Sequence, residues 1–344
     1  MSSFSSGQVL SGAKWNYHIP DEPLKGDGTH RSIVYKAEVI PKDATVDAPR
    51  WAFIKMPSPE HEVSAKELQR EHDIYRLPSV ESAASFRKLY DVSSDSMDTG
   101  KTDPRRIRYA AFEWLDITLR DVEYHPDIHT YALIGAVLKA TLASCAILED
   151  KKLVNTDIKP ANILISGIGT DKITVKVGDL GSVSQADYGY HGQPFAMRAP
   201  EVWQVETCDE PAQVWAVAAM LLVWMKPALL GASGCPWWPF DEVWSIMKLI
   251  ALFPAWDVPP APPLKDNTRQ EEFKTAKAWA DDPELREFYP ACLEDELRML
   301  DTMAEIKDVL RLMFVVNPAE RPSAADVLVS KEFSALEEAL VRMK

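Results

Sequence analysis

The sequence contains little of what marks secreted or lipid-anchored proteins. Only four of its 344 residues are cysteine, and they lie far apart without a C-x-x-C pair, so neither a disulfide scaffold nor a zinc site is indicated. The amino terminus has no basic segment followed by an apolar one, and Ser2 rather than glycine follows the initiator methionine. We therefore expect no secretory signal and no N-myristoylation. Together these features predict an intracellular location, cytoplasmic or nuclear.

Long apolar runs and positive charge are also scarce. The longest apolar run, residues 214–225, is twelve residues long. A membrane-spanning helix needs about 20 residues, so this run predicts a buried core helix. The 38 Lys and Arg against 52 Asp and Glu give a net charge of −14, which argues against a nucleic-acid or anionic-membrane surface. We expect neither nucleic acid nor membrane as a partner, and the sequence does not indicate an oligomeric state.

The two halves of the chain differ in their residue patterns. Up to about residue 115, segments rich in β-branched and aromatic residues predict strands, and one helical pattern at 60–77 interrupts them. From residue 128 onward, apolar residues at helical spacing predict long helices. A small β-rich part followed by a larger helical part is an α+β arrangement. The predicted strands are 33–40, 51–56, 86–92 and 107–115, and the predicted helices of the second half are 128–149, 214–225, 240–253, 293–314 and 323–343.

The densest group of polar residues lies in the segment NTDIKPANILI. It places Asp157, Lys159 and Asn162 at the spacing D-x-K-x-x-N, between a predicted helix and an apolar strand. Phosphoryl transfer needs a carboxylate to orient and deprotonate an attacking hydroxyl, a cation for the developing charge and an oxygen ligand for magnesium. These residues supply all three groups, although a motif of this kind standing alone also fits an ordinary polar turn.

Two further segments favour phosphoryl transfer. Asp179 lies between an apolar strand and a glycine in VGDLGS, where its carboxylate suits a second magnesium ligand. Lys55 lies in the middle of the apolar strand AFIKM, where a buried ammonium is costly unless an anion meets it. Glu71 on the following helix is the predicted partner of Lys55, and Glu67, one helical turn away, is the alternative.

Six motifs follow one another in the order in which protein kinases carry them: AFIK, REHDIYRL, DIKPAN, DLG, RAPE and NPAERP. From about residue 24 to residue 333 the sequence therefore resembles a eukaryotic protein kinase domain. The resemblance implies an α+β, bilobal, protein-kinase-like fold with a small β-rich N-lobe and a larger helical C-lobe. The N-lobe, 1–115, would contain a five-stranded sheet, the αC helix and a Gly-rich loop. The C-lobe, 116–344, would contain the catalytic loop and the activation segment.

The same resemblance implies ATP with Mg²⁺ or Mn²⁺ as cofactors and a protein as substrate. Asp157 would orient and deprotonate the substrate hydroxyl, and Lys159 would steady the transferred phosphate. Asn162 and Asp179 would hold the metal ion, while Arg321 would pair with Glu201 of RAPE. The residues implied to bind the nucleotide are Gly26 and Gly28 of the Gly-rich loop, Lys55 fixed by Glu71, the gatekeeper Phe112, and the hinge from Glu113 to Leu115, whose backbone would meet adenine.

A finer resemblance is to the SR-protein kinases within the CMGC group. Those kinases share the T-D-I-K-P catalytic loop, D-L-G in place of D-F-G, and arginine before A-P-E, here Thr156-Asp157, Leu180 and Arg198. Lys159 followed by Pro160 also resembles serine/threonine kinases rather than tyrosine kinases. This resemblance implies serine or threonine as the acceptor and a basic or Arg/Ser-rich protein as the substrate, which the acidic charge of the chain would suit.

Three departures from the family pattern favour a pseudokinase, a nucleotide-binding or scaffold module, as the alternative function. The Gly-rich loop lacks its third glycine, and Asn155-Thr156 replaces the usual His-Arg before Asp157, so activation-loop phosphorylation is not expected to switch the protein on. Gln213 stands where the family has an aspartate that holds the catalytic loop. We hypothesise that Asn155 and Gln213 form a substitute polar anchor; the alternative is simple erosion of the site.

Overall fold

The computed structural model describes residues 4–24, 32–43, 47–94, 107–170, 172–186, 192–205, 208–256 and 268–343. The chain divides into two compact units: unit 1 is Met1–Asp116 with Lys176–Val183, and unit 2 is Ile117–Val175 with Ser184–Lys344. The predicted lobes left residues 176–183 in the second part, whereas the structure assigns them to unit 1. The reason is backbone pairing, because Arg87 N–H donates to the Val177 carbonyl at 2.9 Å and Val177 N–H donates to the Ser85 carbonyl at 2.8 Å.

Unit 1 is built on a six-stranded antiparallel sheet. Its elements are β1 Val9–Ser11, β2 Trp15–His18, β3 Ser32–Pro41, β4 Trp51–Pro57, α1 Glu62–Tyr75, α2 Pro78–Glu81, β5 Leu89–Ser94 and β6 Ile107–Glu113. The strand order in the sheet is β1-β2-β3-β4-β6-β5. The prediction of five strands is therefore wrong by one, and helix α1 confirms the helical pattern at 60–77.

The strands that the sequence did not predict, β1 and β2, are three and four residues long, too short to show a clear alternation of apolar and polar residues. A buried carboxylate fixes the hairpin between them. Asp91 on β5 accepts the Ala13 N–H at 2.8 Å and the Tyr17 hydroxyl at 2.6 Å. Tyr17 itself is fully buried in the core of the sheet together with Tyr35. Tertiary contacts rather than local preference therefore form this edge of the sheet.

Unit 2 is mainly helical, and the α+β class predicted for the chain is confirmed. Strand β7 pairs antiparallel with β9. The strands are β7 Ile117–Thr118, β8 Leu153–Asn155 and β9 Ile163–Ser166, followed by β10 Thr174–Val177 and β11 Val183–Gln185, which span unit boundaries. The helices are α3 Ile128–Glu149, α4 Pro200–Val205, α5 Glu210–Met225, α6 Asp241–Leu252, α7 Thr268–Ala280, α8 Leu293–Met299, α9 Ala304–Met313, α10 Ala324–Leu328 and α11 Lys331–Arg342.

Helices α3 and α5 form the core of unit 2. Within α5, thirteen of the sixteen residues are buried, which fits the core helix predicted from the apolar run at 214–225. Helix α3 is long and apolar enough to cross a membrane by length and composition alone. Its packing is that of a core helix, however, because it contacts α5, α10 and α11.

Two of the predicted long helices are each broken in two. The pattern at 293–314 forms α8 and α9, because Leu300 and Met303 have extended backbone conformations between them. The pattern at 323–343 forms α10 and α11, because Ser330 caps the second helix by accepting the Phe333 N–H. Apolar residues continue at similar spacing across both breaks, so the periodicity alone could not reveal them.

Candidate active site

Strand β4 carries the first predicted site residue, Lys55, into the interior of unit 1. The side chain is buried, and its Nζ lies 2.7 Å from Glu71 Oε2 and 2.9 Å from Asp179 Oδ1. The predicted ion pair between Lys55 and Glu71 is therefore present, and of the two candidate carboxylates Glu71 takes this position. Burial alone would lower the pKa of Lys55, but the carboxylates of Asp179 and Glu71 raise it above its usual value. Lys55 is thus held as an ammonium between two carboxylates.

Helix α1 and the segment around Asp179 hold each other in place. Glu71 Oε1 accepts the Leu180 N–H at 3.3 Å, and the Arg70 guanidinium donates to the Gly181 carbonyl at 3.0 Å. Asp179 itself has a left-handed backbone conformation, with φ 54° and ψ 70°. This conformation costs a non-glycine residue about 1–3 kcal/mol and persists where surrounding contacts impose it, often at functional sites. Here it accompanies the approach of the Asp179 carboxylate to Lys55.

In unit 2, the turn after β8 brings Asp157, Lys159 and Asn162 together. Asp157 Oδ2 lies 3.0 Å from Lys159 Nζ and accepts the Asn162 amide at 2.9 Å. The same amide nitrogen donates to the Asp157 carbonyl at 2.8 Å, so Asn162 is tied to both the side chain and the backbone of Asp157. The cluster is partly buried, with 18% of the Asp157 side chain exposed. It therefore presents a fixed, accessible carboxylate with a cation beside it.

Gln213 on α5 anchors this turn together with Asn155, as hypothesised from the sequence. Its Oε1 accepts the backbone N–H of Asn155 at 2.8 Å, while the Asn155 side chain accepts the Asp157 N–H at 3.0 Å. Each of the two amide side chains therefore accepts a hydrogen bond from a backbone N–H, Gln213 from Asn155 and Asn155 from Asp157. The Gln213 Nε2 is buried and has no hydrogen-bond partner among the described residues. An aspartate at position 213 would lack that stranded donor, so glutamine holds the turn at some cost in stability.

We predict that Gln213→Met lowers the free energy of unfolding by about 1–3 kcal/mol, because it leaves the buried Asn155 N–H without an acceptor. Chemical denaturation measures the change. Gln204→Met is the matched control, since the Nε2 of Gln204 is also buried without a hydrogen-bond partner among the described residues. Equal stability of the two variants would show that the Gln213 contact contributes nothing.

The segment that precedes α4 is fixed by buried polar groups. Gln193 donates to the Ala212 carbonyl and accepts the Ala199 N–H, both at 3.0 Å. Arg198 donates twice to the Gln193 carbonyl, at 2.9 and 3.1 Å, and its guanidinium lies 4.3 Å from the Trp203 ring centre. The basic residue before A-P-E, which the finer resemblance singled out, is therefore structural in this protein: it closes the turn between 193 and 198.

The predicted pair of Arg321 and Glu201 is present. Arg321 Nη1 and Nη2 lie 2.7 and 3.0 Å from the two carboxylate oxygens of Glu201. The remaining donors of the guanidinium reach the carbonyls of Val315, Pro211 and Val316 at 2.7, 2.9 and 3.2 Å. None of the Arg321 side chain is exposed. One arginine thus joins α4, the start of α5 and the loop after α9.

The predicted hinge residues lie at the end of β6 in unit 1. Phe112 is buried and packs on Tyr75 with ring centres 5.3 Å apart, and Leu115 is also buried. The backbone of Glu113 is already engaged, because its N–H donates to the Lys88 carbonyl at 2.9 Å and its carbonyl accepts Arg87 Nε at 2.7 Å. Sequence analysis missed Arg87 at this site; a cation beside an apolar strand was the signal that could have found it.

The Glu113 side chain is paired as well. Its Oε2 lies 2.6 Å from Lys176 Nζ and accepts the Lys88 N–H at 3.1 Å. Lys176 was not among the predicted site residues. Both interactions tie the end of β6 to neighbouring segments of unit 1, so Glu113 is held by its backbone and its side chain together.

Some predicted features lie outside the described residues. These are Gly26 and Gly28 of the Gly-rich loop. Of the two predicted metal ligands, Asn162 belongs to unit 2 and Asp179 belongs to unit 1. Within the described part of the chain, no group of three or more His, Cys, Asp or Glu could hold a metal ion.

Comparison with known proteins identifies the family. The family model described as "Protein kinase domain" matches residues 88–333, more than half of the chain. Mitogen-activated protein kinase kinase kinase 5 of Arabidopsis thaliana is 27% identical over 212 residues, which are 59% of this chain and 23% of that protein. Cyclin-dependent kinase 4 of Ovis aries is 28% identical over 180 residues, 50% of this chain and 55% of that protein.

A third relative, the probable serine/threonine-protein kinase mkcF of Dictyostelium discoideum, is 28% identical over 116 residues, 32% of this chain and 16% of that protein. The chain thus covers less than two thirds of the length of each of these relatives. The family match includes Asp157, Lys159, Asn162 and Asp179 and begins after Lys55 and Glu71. The family match, in a chain with a β-rich unit 1 and a mainly helical unit 2, leads to one conclusion: the chain belongs to the protein kinase domain family.

Proposed function

We propose that the protein is a serine/threonine kinase that transfers the γ-phosphoryl group of ATP to a protein hydroxyl. The observation that carries this proposal is the arrangement around Asp157, whose Oδ2 meets the Lys159 ammonium at 3.0 Å and the Asn162 amide at 2.9 Å. A carboxylate restrained in this way is preorganised to orient a hydroxyl and to accept its proton. Every residue type that phosphoryl transfer needs is present and held by contacts within its own unit.

The charged side chains of the site have different roles in the proposed reaction. Asp157 takes the proton of the attacking hydroxyl, and Lys159 provides positive charge beside the carboxylate, where negative charge builds on the transferred group. In unit 1, Lys55 is kept protonated by Glu71 and Asp179, so it offers a permanent cation for phosphate oxygens. Glu71 acts only through Lys55, and is therefore a positioning residue.

Asn162 and Asp179 suit Mg²⁺ or Mn²⁺, because carboxylate and amide oxygens are the donors that these hard cations prefer. The Asn162 Nδ2 donates to Asp157, which leaves Oδ1 as the atom for a cation. When bound, the ion neutralises charge on the phosphate oxygens.

The substrate class follows from charge and from the resemblance to SR-protein kinases. The net charge of −14 favours a basic protein substrate, and an Arg/Ser-rich peptide is the specific form that the resemblance implies. Neither the name of the A. thaliana relative nor that of the D. discoideum relative mentions a basic or Arg/Ser-rich substrate. The proposed substrate class therefore rests on the residues of this chain. All four cysteines are free thiols, which supports an intracellular location, cytoplasmic or nuclear.

One observation favours a second candidate, a pseudokinase without phosphotransfer. The Glu113 carbonyl, which the family resemblance assigns to adenine, already accepts a hydrogen bond from Arg87 Nε at 2.7 Å. A protein that binds nucleotide weakly and serves as a scaffold or allosteric module would tolerate this contact.

The experiment that decides between the two candidates measures phosphate transfer from ATP, with Mg²⁺ and with Mn²⁺, to an Arg/Ser-rich peptide and to a generic basic protein. Asp157→Asn is the matched control, because it keeps the shape of the side chain and removes its basicity. We expect phosphoserine or phosphothreonine formation that falls by about 10²–10⁴-fold in the control. Transfer no greater than in the control, by a folded protein, would favour the pseudokinase.

A further inference from the structure

Arg87 is a buried cation that the proposed chemistry does not use. Only 8% of the residue is exposed. Because arginine is almost never buried without a partner, its contacts are expected to be specific. Its Nε donates to the Glu113 carbonyl at 2.7 Å, and its backbone N–H is paired with Val177. The guanidinium is thus fixed at the end of β6, on the carbonyl of the predicted hinge.

Two aromatic rings hold the guanidinium there. Its Cζ lies 3.9 Å from the centre of the Phe53 ring and 5.6 Å from that of Phe112, and these two residues are register partners on β4 and β6. Phe53 precedes Lys55 by two residues, so both side chains project from the same face of β4. Arg87 therefore lies on the sheet face that carries the phosphate-binding lysine. Cation–π contact of this kind stabilises a desolvated guanidinium.

Arg87 keeps its charge in this buried position, because a guanidinium does not lose its proton in a protein. Burial lowers the pKa of its guanidinium, while Tyr75, Glu71, Glu113 and Asp179 act in the opposite direction. The cations of the same region, Lys55 and Lys176, each have a carboxylate of their own. Because a guanidinium has donors and no acceptor, the surface that it presents beside the hinge can only donate hydrogen bonds.

We propose that Arg87, backed by Phe53, determines which nucleotide base the site accepts. This inference rests on the proposed function, because it assumes that the face of β4 bearing Lys55 binds a nucleotide. Adenine presents an amino donor, which needs an acceptor, but the Glu113 carbonyl already accepts Arg87 Nε, which leaves it one lone pair and places a positive charge beside the amino group. Guanine and hypoxanthine present a carbonyl oxygen at the equivalent position of the ring, and an arginine donor suits it. Arg87 therefore weakens adenine binding and abolishes the preference for adenine over guanine.

Nucleotide titrations of the full chain test this directly, with MgADP, MgGDP and MgIDP as the probes and calorimetry as the readout. We expect the wild type to bind ADP no more tightly than GDP. Arg87→Val removes the donor and frees the Glu113 carbonyl, and one hydrogen bond to a neutral carbonyl corresponds to about a tenfold change in affinity. In that variant, ADP binding should tighten by about this factor relative to GDP and IDP.

Two further variants serve as a control and as a second test of the Arg87 contact. Lys88→Val removes a neighbouring exposed cation and should leave every affinity ratio unchanged. Phe53→Ala removes the ring under the guanidinium and should shift the ratio toward ADP even if Arg87→Val fails to fold, which thermal melting would reveal. A wild type that prefers ADP about tenfold, or ratios that stay the same in folded Arg87 and Phe53 variants, would overturn the proposal.

The failure of this inference is distinguishable from failure of the proposed function. Binding of ADP by Arg87→Val and not by the wild type would support the role of Arg87 and contradict a working kinase. Tight, adenine-selective binding and phosphotransfer by the wild type would support the kinase and overturn the role of Arg87. No nucleotide binding by any folded variant would overturn both.

Discussion

Replacement of Arg321 by methionine is expected to lower the free energy of unfolding by about 3–5 kcal/mol, the usual effect of removing one partner from a buried ion pair. The variant would leave Glu201 without its bidentate partner and three carbonyls without their donor. Because the side chain is completely buried, no water can replace these contacts without repacking. Denaturant titration followed by circular dichroism measures the loss.

The chain offers a matched control for this prediction. Arg311 also bonds a carboxylate, with Nε 2.9 Å from Glu294, but 37% of its side chain is exposed. Arg311→Met should cost less than about 1 kcal/mol, since exposed ion pairs contribute little. Similar losses of stability in the two variants would refute the argument that burial makes the contacts of Arg321 strong. Arg321→Lys should lose stability as well, because one ammonium cannot hold two carboxylate oxygens in a fork.

Lys55→Met is expected to have the second large effect, on stability and on nucleotide binding together. The change strands the Glu71 carboxylate, which is buried against Lys55, and should cost about 3–5 kcal/mol at neutral pH. Burial raises the pKa of Glu71, and loss of the ammonium that opposes this will raise it further. The deficit should therefore shrink as pH falls and Glu71 takes up a proton, and be fully present above the folded-state pKa.

A double-mutant cycle isolates the pair. Lys55→Met combined with Glu71→Met should recover part of the loss, because no buried charge is then left unpaired. Lys139 and Glu337 provide the contrast: they are also 2.7 Å apart, but their side chains are 66% and 48% exposed, so Lys139→Met should change stability little. A Lys55 variant as stable as the wild type at every pH would contradict the assignment of an ionised buried pair.

The sequence predicted those contacts of the site in which a residue needs a partner of opposite charge close by in the chain. A lysine inside an apolar strand needs an anion, and the following helix offered Glu71 at the right register. The grouping of Asp157 with Asn162 came from the D-x-K-x-x-N spacing, and the pairing of Arg321 with Glu201 came from the family resemblance; both contacts are present. Their roles in catalysis and nucleotide binding stay predictions until the experiments above are done.

The contacts that the sequence did not predict depend on register between distant segments. The Arg87 contact with Glu113 joins residues 26 apart in sequence, across a β5–β6 pairing that shifts register between Leu89 and Asp91. The pattern of apolar and polar residues in one strand does not reveal such a shift, because register depends on how two strands pair. A shift of one residue exchanges the faces on which the side chains lie.

The assignment of residues 176–183 to unit 1 determines how this protein can be cut. A fragment ending at residue 116 would contain the whole six-stranded sheet and α1, yet it would lack Asp179, which contacts Lys55, and Lys176, which contacts Glu113. Unit 1 is thus discontinuous in sequence, and no single cleavage releases it complete. Supplying 176–183 as a separate peptide, or grafting it onto the end of β6 through a short linker, would be the way to obtain that unit by itself.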